Sequence, residues 1–155
     1  SFNINELLEL VASTLKVKAF DKNISIVFEN TNTPVMVYAD YEKIQRVIYN
    51  LLDNAIKFTN KNGKIILKTE ELEQKAYISI IDNGIGMKED EQARIFDRLY
   101  KADSSRGMDK TGSGLGLSIV KEFIKAHNEE IFVKSTLGKG STFTFTLKLY
   151  NKNKK

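Results

Sequence analysis

The chain has no cysteine and only one histidine among its 155 residues. Without thiols there is neither a disulfide framework nor a thiolate metal site, and a single imidazole rules out a histidine-rich zinc centre. No stretch reaches the roughly 18 consecutive apolar residues that crossing a bilayer requires. The N-terminus lacks the basic-then-apolar order of a secretory signal. The excess of positive charge is also small. The net charge is +4, and Lys148, Lys152, Lys154 and Lys155 equal that excess by themselves. The basic balance therefore belongs to a C-terminal tail, and nucleic acid is not an expected partner. What remains, 41% hydrophobic and 28% charged residues, is the composition of one soluble globular domain with a proper core.

Apolar spacing at Leu7, Leu8, Val11, Ala12 and Leu15 predicts a helix over residues 5–18. Strands follow at 24–28 and 35–38. Asp40 is a candidate N-cap for a long helix reaching about Phe58. Residues 64–70 and 76–81 read as paired strands, and 89–96 as a short helix. The polar stretch 97–113 has no sustained period and reads as a long functional loop or lid. Helical spacing returns over 115–127, and strands are expected at 131–135 and 141–149. The last of these alternates, with Phe143, Phe145, Leu147 and Leu149 on one face. Helices interspersed with hairpin-like strands predict an α+β fold with helices layered on one sheet face.

The long helix carries a broad apolar stripe, Ile44, Val47, Ile48, Leu51, Leu52, Ala55 and Ile56. Asn50, Asn54 and Lys57, at i, i+4 and i+7, form a second, narrower stripe. Asparagine is a mediocre helix former, so two of them mid-helix carry a propensity penalty. Amide oxygens are hard donors suited to magnesium, and an ammonium can meet phosphate charge. The same stripe would also serve as a solvated helix face.

Seven of the nine glycines fall in three groups, Gly84 and Gly86, then Gly112, Gly114 and Gly116, then Gly138 and Gly140. Asp82, at a strand end before the first group, can accept a hydrogen bond from an exocyclic amine while the glycine backbone approaches a flat ring. The second group runs into a helix, whose N–H groups and positive end suit phosphate. Each group alone would pass as a turn or cap. The dinucleotide fingerprint fails because position 117 is leucine and no strand leads in. The P-loop fails because Lys139 is followed by glycine and a strand. The signatures of serine/threonine/tyrosine kinases are absent.

Together these segments resemble the catalytic, ATP-binding domain of sensor histidine kinases. Asn50-Leu51-Leu52-Asp53-Asn54-Ala55-Ile56-Lys57-Phe58 is similar to the family's asparagine box, and Asp82 to Met87 to its first glycine box. Ile95 to Lys101 resembles the phenylalanine box, Gly112 to Leu117 the second glycine box, and Gly138 to Phe143 the closing glycine-threonine strand. The boxes come in the family's order and span most of the chain. The wider superfamily includes gyrase, mismatch-repair and heat-shock chaperone ATPases, whose hydrolytic members resemble one another in a glutamate one turn before the magnesium-binding asparagine. Here that position is Asn50, and an amide cannot take a proton from water.

The resemblance implies a Bergerat-type fold, a two-layer sandwich of mixed, mostly antiparallel sheet covered on one face by about three helices. It implies ATP and magnesium as cofactors. Asn54 would bind the metal with Asn50 assisting, and Asn50, Lys57 and Lys101 would be the catalytic set. Asp82 would hold the adenine amine, with Gly84, Gly86 and Met87 against the base. Arg98 and Lys101 would contact phosphate from the lid's edge, and the segment Gly112, Gly114, Leu115, Gly116 and Leu117 would present backbone N–H groups to it. Ser141 or Thr142 would reach the adenine side. Residues 1–20 would link to a phosphoacceptor and dimerisation hairpin absent from this chain, 21–150 would form the catalytic domain with a lid at about 97–113, and 151–155 a basic tail. The acceptor histidine would lie on that hairpin, which also meets a response regulator; the parent would be a homodimer, membrane-anchored with this domain on the cytoplasmic side. His127, at a helix end, reads as a residue favoured there by the helix dipole, and Asn128 after it as a left-handed cap. The readings set against a histidine kinase are a hydrolytic ATPase, a serine-directed kinase of the same superfamily, and a non-catalytic nucleotide-dependent docking module.

Overall fold

A computed structural model describes residues 1–29, 33–97 and 116–150. In chain order the elements are β1 (Phe2–Asn3), α1 (Ile4–Thr14), α2 (Lys16–Asp21), β2 (Ser25–Glu29), β3 (Met36–Tyr38), α3 (Tyr41–Phe58), β4 (Lys64–Leu72), β5 (Lys75–Asp82), α4 (Glu89–Gln92), α5 (Gly116–Ala126), β6 (Ile131–Thr136) and β7 (Gly140–Leu149).

The alternation in the last strand organises the rest. Phe143, Phe145 and Leu147 of β7 are buried on one face. On the other face, Thr144 shares a hydroxyl hydrogen bond of 2.9 Å with Ser79 of β5. β7 pairs antiparallel with β5 from Lys75↔Lys148 to Asp82↔Ser141. Its other edge holds β6 through its first half and β3 at its far end. The sheet has seven strands in the order β1-β3-β7-β5-β4-β2, with β6 added on β7. The pair β2–β4 is parallel and the other pairs are antiparallel. α1, α3 and α5 pack side by side over the buried face, giving the expected two-layer α+β sandwich.

Asp40 caps α3, its carboxylate accepting from the Lys43 N–H at 3.1 Å. The whole predicted apolar stripe of α3 is buried, worth roughly 1.5–3 kcal/mol for each large side chain. α5 ends in a Schellman arrangement: the Asn128 N–H reaches Lys125 O and the Glu129 N–H reaches Ile124 O. Asn128 takes the left-handed conformation this requires, with φ 57°. His127 does cap the helix end, but as a neutral ring. Its Nε2 accepts the Asp40 N–H at 3.0 Å, so Nδ1 carries the proton to Phe123 O at 2.8 Å.

Two expected helices differ from what is observed. The helix predicted over 5–18 breaks at Leu15, which leaves helical geometry at φ −96°, ψ 6°. Thr14 donates its hydroxyl to Leu10 O at 3.0 Å, a back-bond that bends helices, and the break lets Leu15 and Ala19 both enter the core. The N-terminal segment packs on the domain: β1 pairs with β3, and Ile4, Leu7, Leu8 and Val11 lie in the core. The helix expected over 89–96 stops at Gln92, where bonds skipping three residues tighten the chain into turns (Arg94 N–H to Glu91 O, Asp97 N–H to Arg94 O). Apart from Asp97, the predicted lid at 97–113 lies outside the described residues, as does the tail 151–155. Among the described residues no helix is long and apolar enough to cross a membrane.

Candidate functional site

Asp82 ends β5 where three backbone segments converge. Its Oδ1 accepts N–H bonds from Gly84 at 2.9 Å and Ser141 at 3.2 Å. One oxygen is thus fixed by two backbone donors, leaving Oδ2 as the remaining acceptor. Burial pushes the carboxyl above its ordinary value of 3.8, against the two N–H bonds, which pull it down.

The glycines around Asp82 permit close approach, but to other backbone within the protein. A Cβ on Gly84 would strike the Phe58 carbonyl, and one on Gly86, at φ +69°, would strike the Thr136 carbonyl. The Ile85 N–H bonds to Phe58 O at 3.0 Å, and the Gly138 N–H to Ile85 O at 2.6 Å. Residues 84–86 are therefore clamped between the end of α3 and the β6–β7 turn.

A slot beside Asp82 is lined by Asn54, Phe58, Asp82, Ile85, Gly86, Met87, Ile95, Ser141 and Phe143. Its volume of about 30 Å³ suits one or two waters, so a purine would enter only as the Met87, Ile95 and Phe143 walls part. A larger open groove of about 940 Å³ shares Asp82, Met87 and Ser141 but lies between α4 and the outer side of β6–β7. Of the asparagine stripe, Asn54 lines the slot together with Phe58 and Phe143, and none of the three lines this groove. Ser141 and Thr142, left undecided by sequence, are separated here: Ser141 lines the slot, and Thr142 only the outer groove.

Asn50 and Gly116 meet at the other end of the site, where the Asn50 amide donates to Gly116 O at 3.4 Å. That contact sets the asparagine stripe against the N-terminal turn of α5. Leu117 is part-buried and packs on the core. Lys57 lies against Asp53, Nζ to Oδ2 3.3 Å. The described residues contain no group of three or more His, Cys, Asp or Glu able to hold a metal ion. Hard amide donors with few other ligands fit magnesium that arrives with phosphates, not a cation caged by the protein. Arg98, Lys101, Gly112, Gly114 and Leu115 lie outside the described residues.

Sequence reasoning passed over several contributors. Gln92 bridges α4 to β6: its Nε2 donates to Ser135 O at 2.8 Å and to Met87 O at 3.3 Å, and its Oε1 accepts the Ser135 N–H at 3.1 Å. The Ser135 hydroxyl accepts from the Met87 N–H at 2.8 Å and meets Ser141 Oγ at 2.7 Å. Nothing in an acidic run such as Glu89-Asp90-Glu91-Gln92 marks that glutamine out. Phe58, Ile95 and Phe143 were legible as apolar positions but not as slot walls. Phe96 stacks edge-on to Phe143 at 6.0 Å.

A family model for histidine kinase-, DNA gyrase B- and HSP90-like ATPases matches residues 39–151. The adaptive-response sensory kinase SasA of Crocosphaera subtropica is 40% identical over 131 residues, 84% of this chain and 34% of that protein. The sensor histidine kinase WalK of Bacillus subtilis is 35% identical over 129 residues, 82% of this chain and 21% of its own length. The chain thus spans about a third or less of these curated relatives. Among solved structures, the nucleotide-free catalytic domain of the histidine kinase ThkA has a TM-score of 0.82 at 32% identity, covering 95% of both chains. ThkA in complex with the response regulator TrrA has a TM-score of 0.78 at 28% identity, covering 99% of this chain and 42% of that one. A family match over most of the chain, and a likeness to an isolated catalytic domain over nearly all of it, make this chain a member of the histidine kinase-, DNA gyrase B- and HSP90-like ATPase family, as the catalytic domain of a sensor histidine kinase.

Proposed function

We propose that this domain binds Mg-ATP in the slot beside Asp82 and donates the γ-phosphate to a histidine on a separate helical hairpin of the same parent. The observation that carries this reading is the alignment of three features. Asp82 keeps one oxygen for the adenine amine, Asn54 lines the same slot, and Asn50 sits against the start of α5. Base, metal and phosphates would thus be met in order along one side of α3. Bound magnesium would neutralise phosphate charge. Asn54 would hold it with help from Asn50, and Lys57 would meet phosphate oxygens. Gly116 and Leu117 would contribute from α5, continuing the contacts expected of Gly112, Gly114 and Leu115, with Arg98 and Lys101 acting from the lid. Gly84, Gly86 and Met87 would border the base.

Asn50 supports transfer over hydrolysis, because its amide cannot act as a base toward water. The response regulator paired with ThkA supports a regulator as the downstream partner here as well, reached through the hairpin of a homodimeric parent whose catalytic part faces the cytoplasm. The test adds a purified histidine-bearing hairpin to the chain with γ-labelled ATP and magnesium. Label should appear on the hairpin as an acid-labile phosphohistidine. Steady release of free phosphate without any hairpin would sink the kinase reading in favour of a hydrolase.

A further inference from the structure

Asp53 stands beside the proposed phosphate stripe, where a negative charge is out of place. One helical turn separates it from Lys57, and its two oxygens are shared between two lysines. Oδ2 lies 3.3 Å from Lys57 Nζ and Oδ1 lies 3.2 Å from Lys18 Nζ, the latter reaching across from α2. The Asp53 side chain is only 16% exposed, against 34% for Lys57 and 55% for Lys18. α2 is pinned at this spot by a second lysine one turn on. Lys22 Nζ donates to Ile56 O at 2.8 Å and Lys57 O at 3.0 Å, closing the C-terminal end of α3. Lys18 of α2 and Lys22 just after it, four residues apart, therefore grip the C-terminal part of α3, one by a carboxylate and the other by backbone carbonyls.

This arrangement bears on how Lys57 becomes available to a ligand. An Asp followed four residues later by Lys is a favourable helical pair, so Lys57 is held back along α3. A nucleotide phosphate must compete with Asp53 for that ammonium, and Asp53 repels the phosphate as well. If Lys57 left, an isolated, largely buried carboxylate would remain, unless another cation held it. Lys18 is that cation. Asp53, first through its hydrogen bond and then through its charge, raises the Lys18 ammonium above its ordinary value of 10.5, so Lys18 stays charged throughout the neutral range.

We propose that Lys18 and Asp53 form a counter-ion pair that regulates the release of Lys57. Asp53 parks Lys57 beside the asparagine stripe in the absence of nucleotide, and Lys18 keeps the carboxylate neutralised when Lys57 moves to phosphate. Both are positioning residues, and the proposal rests on the nucleotide reading given above. Asp53 thereby makes phosphate binding weaker than the stripe alone would allow, and Lys18 limits that loss.

The test is titration of the chain and of Lys18→Met, Asp53→Asn, the double variant and Lys18→Arg, with a magnesium-bound non-hydrolysable ATP analogue and, separately, with adenosine. Lys18→Met should weaken the Mg-nucleotide about two- to fivefold and Asp53→Asn should tighten it by a similar factor, the range set by exposed charge pairs. The double variant should match Asp53→Asn, since Lys18 acts only through that carboxylate. Lys18→Arg should restore ordinary affinity, and adenosine binding should be unchanged in all four. An equal loss from Lys18→Met in the Asp53→Asn background, or an equal effect on adenosine, would overturn the proposal in favour of a structural role. Binding by the unaltered chain with no effect of Lys18→Met overturns it alone, whereas no binding by the unaltered chain removes the nucleotide reading itself.

Discussion

The two ends of the candidate site are built differently. At the Asp82 end, backbone holds the functional group in place: two N–H donors on one carboxylate oxygen, glycines wedged against carbonyls, and the Ser135–Ser141–Gln92 network behind them. At the stripe end, Asn50 makes one long contact to Gly116, and Lys57 is held by an ion pair with a third of its side chain exposed. A flat base with fixed donors and acceptors is best met by groups that need no reorganisation. A triphosphate with its metal is best met by charges that can move a few ångströms. The contrast predicts that changes at the Asp82 end alter affinity and stability together, whereas changes at the stripe end alter charge-dependent binding alone.

The largest expected effect comes from Asp82→Asn. The asparagine oxygen can keep both backbone N–H bonds, which turns its NH₂ toward the adenine amine, donor against donor. Nucleotide affinity in calorimetric titration should fall about 10- to 100-fold, the range for a hydrogen bond to a charged acceptor. Stability should move the other way. Because burial raises the Asp82 pKa, the folded state holds this proton more tightly than the unfolded chain. Stability is therefore lost as pH rises from the ordinary carboxylate value through the raised one. The variant lacks that loss, so it should melt above the unaltered protein at neutral pH, with the gap closing in melts taken below pH 3.8, the ordinary carboxylate value. A variant that melted lower at neutral pH would show that the carboxylate is structural.

Asn54→Ala would sharpen the stripe side. It should weaken binding of the Mg-nucleotide by about tenfold, the scale of a charge-assisted contact, while leaving metal-free binding nearly unchanged and the melting temperature within a few degrees. Normal magnesium dependence in this variant would remove the metal assignment. Next in size is the pair Ser141→Ala and Thr142→Ala. Ser141 joins the slot network, and its loss should destabilise by about 1 kcal/mol and lower affinity. Thr142 faces the outer groove, and its loss should leave affinity unaltered. Equal effects on binding would mean that the slot and the outer groove are not distinct.

The smallest expected effect is Thr59→Val. Thr59 Oγ1 is the one buried side-chain polar atom without a hydrogen-bond partner among the described residues, and Thr59 follows the end of α3. An isosteric methyl removes an unsatisfied hydroxyl, so the variant should gain about 1 kcal/mol in denaturant unfolding. A loss of that size would point to a hydrogen-bonding role that the fold does not reveal.

Elements whose pattern is local were legible in the sequence, and those that depend on distant partners were not. The apolar stripe of α3 and the alternation of β7 announce themselves through 3.6- and 2-residue periods; the stripe is buried as read, and so are Phe143, Phe145 and Leu147, with Leu149 only partly covered. The two-residue β1 has no period to read; it exists because β3 offers it an edge. The break at Leu15 depends on a single threonine hydroxyl turning back on Leu10, in a stretch whose apolar spacing is otherwise that of one helix. Asp82 was legible as an acceptor at a strand end followed by glycine. The collisions that require those glycines involve carbonyls of Phe58 and Thr136, far along the chain, which no local pattern could supply. Gln92 and Ser135 were missed for the same reason: their partners lie 43 residues apart in sequence. Asn50 was the most informative single position, because an amide in place of a carboxylate changes what the site can do to water.

The most direct test is a calorimetric titration of this domain with a non-hydrolysable ATP analogue, run with and without magnesium. Saturable binding that strengthens with magnesium is predicted, with no detectable uptake of magnesium alone, since the described residues offer the metal no carboxylate cluster. No binding at millimolar nucleotide, or binding indifferent to magnesium, would contradict the assignment of the slot and the asparagine stripe as one Mg-ATP site.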